Sequence, residues 1–131
     1  MRITADTNVL VRALTGDDAK QSKVAQAVLR DAEMVAVALP ALCELVWVLA
    51  QGYKVPSPEI TQAIRGLLNA ENVVVNRTAA EAGLAVLEAG GDFADGVIAH
   101  EGSWLGADAF VSFDRKAVDL LRAQGMSARL P

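Results

Sequence analysis

Four acidic residues stand at places in the chain from which their carboxylates could share one chemical site. Asp6 ends a strand-like run at the N-terminus, and Glu44 lies one turn into the helix after the second strand. Asp95 follows Asp92 in the first turn of a later helix, and Asp114 comes directly after the fourth strand. Because ligands gather beyond the carboxyl ends of parallel strands, most of these positions should share one edge of a sheet.

The chemistry that four converging carboxylates favour is divalent-metal binding. Without a cation such groups repel one another and tend to be protonated. Hard oxygen ligands suit Mg²⁺ or Mn²⁺, and the single cysteine, Cys43, rules out a multi-cysteine zinc site. The reaction expected of this centre is hydrolysis of a phosphodiester, with metal activating water and stabilising charge on the phosphoryl oxygens.

Each acid also has a structural explanation. Asp92 and Asp95 fit an N-cap and a first-turn acid favoured by the helix dipole, Asp114 fits another N-cap, and Asp6 fits a turn residue. Glu44 has the weakest structural explanation, because its helix is apolar nearly all round and should be buried. Independent caps need not fall at corresponding sheet positions, so the set as a whole favours the metal interpretation.

Residues beside these acids are candidates for supporting roles. Thr7, Asn8 and Ser112 are expected to orient the acids through hydrogen bonds, as groups around metal ligands often do. Arg115 and Lys116 follow Asp114. Two interpretations of this pair remain open, contact with phosphate and simple exposure on the helix surface. The sequence carries no recognisable signature for substrate binding.

Other reactive or aromatic side chains are predicted to be structural. His100 lies about 140° around its helix from Asp95, which suggests a packing or surface role. Cys43 fits a buried core thiol, and Trp47 and Trp104 are predicted to pack rather than to stack on bases.

The elements that must position the acids alternate between strands and helices. A run before Asp6 is the first strand, and four further strand-like segments follow at residues 34–39, 73–75, 109–112 and 127–130. Apolar residues at helical spacing fill the intervals, with Gly16 and Gly125 as predicted helix ends. This order predicts an α/β fold, with a parallel sheet covered by helices on both sides in three layers.

Length and composition predict one soluble, cytoplasmic domain spanning residues 1–131. Hydrophobic residues make up 53% of the chain and charged residues 21%. No apolar run approaches the roughly 20 residues of a membrane span, and the N-terminus lacks the pattern of a signal peptide. The formal net charge of −4 argues against broad electrostatic capture of nucleic acid.

With those residues in place, the sequence resembles the PIN-domain ribonucleases, specifically the VapC-like toxins of type II toxin–antitoxin pairs. The resemblance rests on four short segments in the family's order and spacing, namely residues 5–12 (ADTNVLVR), 42–49 (LCELVWVL), 92–99 (DFADGVIA) and 111–114 (VSFD). Each segment is short, and together they span nearly the whole chain.

The resemblance implies a five-stranded parallel sheet and a Mg²⁺- or Mn²⁺-dependent endoribonuclease. It makes Asp6, Glu44, Asp95 and Asp114 the acidic tetrad and Asp92 an accessory acid. It also implies a homodimer and inhibition by a cognate antitoxin whose C-terminal segment occupies the active-site groove. Within the tetrad, Asp6 and Asp95 would hold the main metal.

Two alternatives of other classes remain open. A protein of the same fold could serve only as a non-catalytic interaction module, although the intact set of acids speaks against this. A phosphotransfer or phosphatase domain could use a strand-end aspartate as its nucleophile. That chemistry commonly needs a second acid two residues further on, where this chain has Asn8.

Overall fold

Seven α-helices and five short strands alternate along the chain in the computed structural model, which describes residues 1–131. The elements are β1 (Arg2–Thr4), α1 (Thr7–Thr15), α2 (Ala19–Asp31), β2 (Met34–Ala36), α3 (Leu39–Trp47), α4 (Ser57–Leu68), β3 (Val73–Val74), α5 (Arg77–Glu88), α6 (Phe93–Trp104), β4 (Phe110–Val111), α7 (Arg115–Ala123) and β5 (Ala128–Arg129). The order agrees with the α/β class predicted from the sequence. No helix combines the length and the apolar character that a membrane span requires.

All strand pairs are parallel, but they form two sheets rather than one. A three-stranded sheet has the order β1-β2-β3, with Val35 of β2 opposite both Ile3 and Val73. A separate pair joins β4 to β5. The expected single five-stranded sheet is therefore not seen in the strand pairing, because strands of two or three residues present few backbone groups for a further neighbour.

The chain divides into two compact units, Met1–Asn76 and Arg77–Pro131. In the first unit β2 is the central strand, and its Val35 is fully buried. The second strand is shorter than expected, because Ala38 caps α3 and Leu39 is already helical, with Pro40 in the first turn. The largest fully buried side chains around this sheet belong to Leu10, Leu42, Leu45, Ile60, Ile64 and Leu68.

Helix ends in the first unit follow local chemistry. α1 ends at Gly16, whose φ of 68° is a left-handed conformation that glycine adopts without strain. Asp18 caps α2 by accepting a hydrogen bond from the Gln21 backbone N–H at 3.0 Å. The helix expected over residues 40–50 is α-helical only to Trp47 and continues as a π-helical segment, Val48–Gly52.

In the second unit, α5 and α6 approach so closely that glycine is required at the contact. A Cβ at Gly96 would lie 2.8 Å from the Gly83 Cα and nearer still to the Ala82 carbonyl oxygen. The ring of the fully buried Phe93 fills the space over Gly83, where a Cβ would lie 2.7 Å from the ring. Val86, Val118 and Leu121 are buried together in the core of this unit. The start of α6 is thereby held against α5.

Replacing Gly96 by alanine should destabilise the protein by roughly 1–3 kcal/mol, because the new methyl group meets backbone that cannot move aside cheaply. Gly102→Ala is the matched control in the same helix, since a Cβ there meets only the Ala107 Cβ at 4.0 Å. The control should be neutral or stabilising by about 0.4–1 kcal/mol, because alanine reduces the freedom of the unfolded chain. Urea unfolding measures both, and equal stabilities for the two variants would contradict the close contact.

Candidate functional site

Asp6 lies at a fixed point directly after β1. Its backbone has the extended conformation of an N-cap residue, and its side chain is exposed and makes no capping hydrogen bond to α1. The preceding Ala5 is buried, and its N–H donates to the Ala36 carbonyl at 3.1 Å. The backbone at Asp6 is therefore held in place, and its exposed carboxylate makes no capping hydrogen bond. Thr7 and Asn8 open α1, and neither side chain forms a hydrogen bond to an acid.

Glu44 is exposed. The expectation that its carboxylate is buried in an apolar helix is therefore wrong. α3 buries Leu42 and Leu45 and turns its opposite face to solvent. Trp47, one turn beyond Glu44 on that face, is 63% exposed, which corrects its predicted packing role. The apolar composition of α3 did not indicate an exposed face, because Trp47 is a large apolar residue that nevertheless lies in solvent. α1 and α3 pack together, which brings the elements carrying Asp6 and Glu44 into contact.

Two acids of the second unit act as helix caps, as their structural explanations predicted. Asp92 accepts a hydrogen bond from the Ala94 N–H at 3.2 Å, and Asp114 accepts one from the Ala117 N–H at 3.3 Å. Each cap uses a single carboxylate oxygen, Oδ1 in both residues. Capping and metal binding are thus compatible, because the second oxygen of each carboxylate stays unused.

Ser112 supports Asp114 through the backbone. Its Oγ accepts a hydrogen bond from the Asp114 N–H at 3.0 Å, and its own N–H donates to the Arg129 carbonyl at 3.2 Å. The hydroxyl therefore fixes the start of α7 and does not contact the Asp114 carboxylate. The predicted orientation of an acid by Ser112 through a side-chain contact stays a prediction.

Asp95 is the electrostatically unusual acid of the chain. It is half-buried in the first turn of α6, and its backbone N–H donates to the Asp92 carbonyl at 3.1 Å. Burial raises the pKa of the Asp95 carboxyl above 3.8, and the nearby carboxylates of Asp92 and Asp114 raise the pKa further. Asp92 and Asp114 are thus both close enough to Asp95 to disfavour its charged form.

The oxygen donors suit a hard divalent cation, and the repulsion at Asp95 is what such a cation would relieve. No group of three or more His, Cys, Asp or Glu side chains is arranged to hold a metal ion in the structure. Asp6 and Glu44 belong to the unit Met1–Asn76, and Asp92, Asp95 and Asp114 to the unit Arg77–Pro131. A single centre made by the four tetrad acids stays a prediction.

A groove runs between α1 and α2, beginning two residues after Asp6. It has a volume of about 660 Å³ and is lined by Asn8, Val9, Arg12, Lys20, Gln21, Val24, Ala25 and Val28. Val24 and Val28 of α2 are 60% and 44% exposed. The apolar spacing along this helix did not predict the opening.

A polar cluster lies at one rim of the groove. Arg12 forms a salt bridge with Asp17 at 3.0 Å, and the Tyr53 hydroxyl donates to the same carboxylate at 2.7 Å. Hydrogen bonds from Tyr53 and Thr15, together with the Arg12 guanidinium, hold the pKa of Asp17 below 3.8. The cluster links α1 to the residue that follows the π-helical segment.

Two further features of the second unit bear on function. His100 is half-buried with a buried Nε2 that has no hydrogen-bond partner, which agrees with a packing role. Trp104 and Phe113 are 79% and 89% exposed, so the predicted packing of Trp104 is wrong, and Phe113 was overlooked. The sequence contained a signal for Phe113. This apolar residue lies between Ser112 and Asp114 at a strand-to-helix junction and belongs to no apolar repeat.

Comparison with known families assigns the chain to a family. The sequence model of the PIN domain matches residues 3–122. The chain therefore belongs to the PIN-domain family, whose members are generally metal-dependent nucleases, and a nuclease-type hydrolase function follows at that level. A search of curated proteins found no significant match.

Replacing Asp95 by asparagine should raise the melting temperature at pH 7 in EDTA, since the amide removes a half-buried charge beside Asp92 and Asp114. The raised pKa in the folded protein means that the protonated acid stabilises the fold. That stability is present below the ordinary pKa of 3.8 and is lost as the pH rises through the raised value. The advantage of the variant should therefore vanish near pH 3.

Asp119→Asn is the matched control for this measurement, because Asp119 is an exposed acid on α7. Its melting temperature should follow that of the wild type at both pH values. A gain for Asp95→Asn that persists unchanged at low pH would show that packing, not charge, causes the effect. Calorimetry at the two pH values distinguishes these results.

Proposed function

We propose that the protein is a Mg²⁺- or Mn²⁺-dependent endoribonuclease whose metal is held by Asp6, Glu44, Asp95 and Asp114. The observation that carries the proposal is the half-buried carboxyl of Asp95, whose pKa is raised by burial and further by the carboxylates of Asp92 and Asp114. A protein gains nothing in stability from such an arrangement, and a divalent cation would turn it into a favourable one. Membership of the PIN-domain family supports the same chemistry.

The chain's own residues have distinct parts in this proposal. Asp6, with an unused carboxylate on a fixed backbone, and Asp95 bind the main metal. Glu44 completes or bridges the site and orients the attacking water, and Asp114 supports the same metal or a second one. When bound, the metal would lower the pKa of a water and stabilise charge on the phosphoryl oxygens.

The proposed site requires both units of the chain to act together. We therefore propose that residues 1–131 function as one PIN-like domain. The family match supports this, because it runs from residue 3 to residue 122 across the boundary at Asn76.

The biological role that we propose is that of the toxin in a toxin–antitoxin pair. The similarity of the four acidic segments to VapC-like toxins supports it, as does the open groove between α1 and α2. Its partly exposed Val24 and Val28 and its basic Lys20 suit a segment of an antitoxin. In this role the protein would be a cytoplasmic homodimer, and a small neighbouring gene for a DNA-binding antitoxin would support the assignment.

Purified protein should cleave RNA in Mg²⁺ or Mn²⁺, and Asp6→Asn or Asp95→Asn should lower the rate roughly 100-fold or more. The reason is that losing a metal ligand removes several kcal/mol of transition-state stabilisation. The matched controls are Glu59→Gln in the first unit and Asp119→Asn in the second, both exposed acids outside the tetrad. Their rates should equal that of the wild type in a gel assay of labelled RNA.

Calorimetric titration with Mn²⁺ separates this function from a non-catalytic interaction module. The wild type should bind Mn²⁺ with a signal that Asp95→Asn greatly weakens. Absence of binding at millimolar metal, or full Mg²⁺-dependent cleavage by both tetrad variants, would refute the metal assignment.

A further inference from the structure

We infer that Phe113 is a nucleobase-stacking residue that positions the RNA strand beside the acids, with Arg115 and Lys116 contacting its phosphates. The inference rests on the proposed function and adds to it the residues that hold the substrate. It follows from the exposure, surroundings and placement of a single aromatic ring.

The first step is that Phe113 has no structural role in the fold. The side chain is 89% exposed, the most exposed large hydrophobic residue in the chain. The ring makes no aromatic contact, and the core of this unit is formed by other residues, including Val86, Val118 and Leu121. Exposure alone does not assign a role, because Trp104 of the same unit is 79% exposed, so the inference depends on what surrounds the Phe113 ring.

The second step is that the ring is presented by a fixed backbone. On one side the Ser112 N–H donates to the Arg129 carbonyl at 3.2 Å, which continues the pairing of β4 with β5. On the other side the Asp114 N–H donates to the Ser112 Oγ at 3.0 Å, and Asp114 caps α7. Because both neighbours are held, little backbone entropy is lost when a ligand stacks on the ring.

The third step is the charge beside the ring. Arg115 and Lys116 follow Asp114 in the first turn of α7, both are exposed, and neither side chain forms an ion pair or a hydrogen bond. Two unpaired cations next to an exposed aromatic ring match a nucleotide, which carries a phosphate and a flat base. A purely apolar partner would leave these cations without a counter-charge.

The fourth step is the distance to the proposed chemistry. Phe113 is covalently adjacent to Asp114, so their Cα atoms are about 3.8 Å apart. The carboxylate of Asp114 in turn lies close enough to Asp95 to raise the pKa of that carboxyl. A base stacked on Phe113 therefore belongs to a nucleotide at or next to the phosphate that the acids would handle. Trp47 repeats the pattern in the first unit, 63% exposed and one helical turn beyond Glu44.

The test is equilibrium binding of a fluorescein-labelled unpaired RNA of about 12 nucleotides, followed by anisotropy at low salt in EDTA so that no cleavage occurs. Phe113→Ala and Phe113→Leu should each weaken binding roughly 5- to 150-fold, and Phe113→Trp should bind at least as well as the wild type. Leucine keeps the apolar volume and removes the aromatic face, so it separates stacking from simple hydrophobic contact.

Trp104→Ala is the matched control, because Trp104 is an equally exposed aromatic residue of the same unit. It ends α6, about 14 Å along the helix axis from Asp95, and its loss should leave binding unchanged. Replacing Arg115 and Lys116 by alanine should reduce the salt dependence of binding by about one to two ion contacts. All Phe113 variants should keep the wild-type melting temperature, since the ring is outside the core.

Several results would overturn the inference: wild-type binding by Phe113→Ala or Phe113→Leu, no RNA binding by the wild type, or equal affinity for a fully paired RNA hairpin. A change of oligomeric state in Phe113→Ala by light scattering would assign the ring to a second copy of the chain instead. These outcomes are separable from failure of the proposed function. RNA binding that depends on Phe113, without cleavage in Mg²⁺, would support the inference and reject the nuclease function. Cleavage in Mg²⁺ with RNA binding that does not depend on Phe113 would reject the inference and support the nuclease function.

Discussion

Burial of the Asp95 carboxyl beside Asp92 and Asp114 is the constraint on which the proposed site of the second unit depends. Asp92 and Asp95 are held at the start of α6 because glycine at residues 83 and 96 lets this helix lie directly against α5. Close packing of this kind leaves the first turn of α6 no freedom to move away from its neighbours. The unfavourable electrostatics at Asp95 are thus imposed by favourable packing, which is how proteins commonly hold a ligand site ready.

The first unit presents its acids by other means. Asp6 is fixed by the backbone at the end of β1, and Glu44 is carried on the solvent face of a helix whose opposite face forms the core. These acids are exposed, so solvation stabilises their charge without a partner. The acids of the first unit therefore differ from Asp95, whose pKa is raised by burial and by its acidic neighbours.

Exposed aromatic residues beside the acids would reconcile a net charge of −4 with the proposed nucleic-acid substrate. Stacking on Phe113 or Trp47 draws on the flat face of a base and does not need a broad basic surface. Only local cations such as Arg115 and Lys116 are then required near the phosphates. Specificity for particular RNAs would follow from which bases can leave their own stacks to reach these rings.

The sequence by itself determined the order of the elements, the helix ends at Gly16 and Gly125, the caps at Asp92 and Asp114, and the family. These follow from local chemistry, because capping and glycine turns depend on a few neighbouring residues. Only the tertiary structure decided which side chains are buried and which strands pair. Glu44 and Phe113 are exposed, and the strands pair in two sheets. The physical reason is that burial depends on elements distant in sequence, which no local pattern of apolar residues can specify.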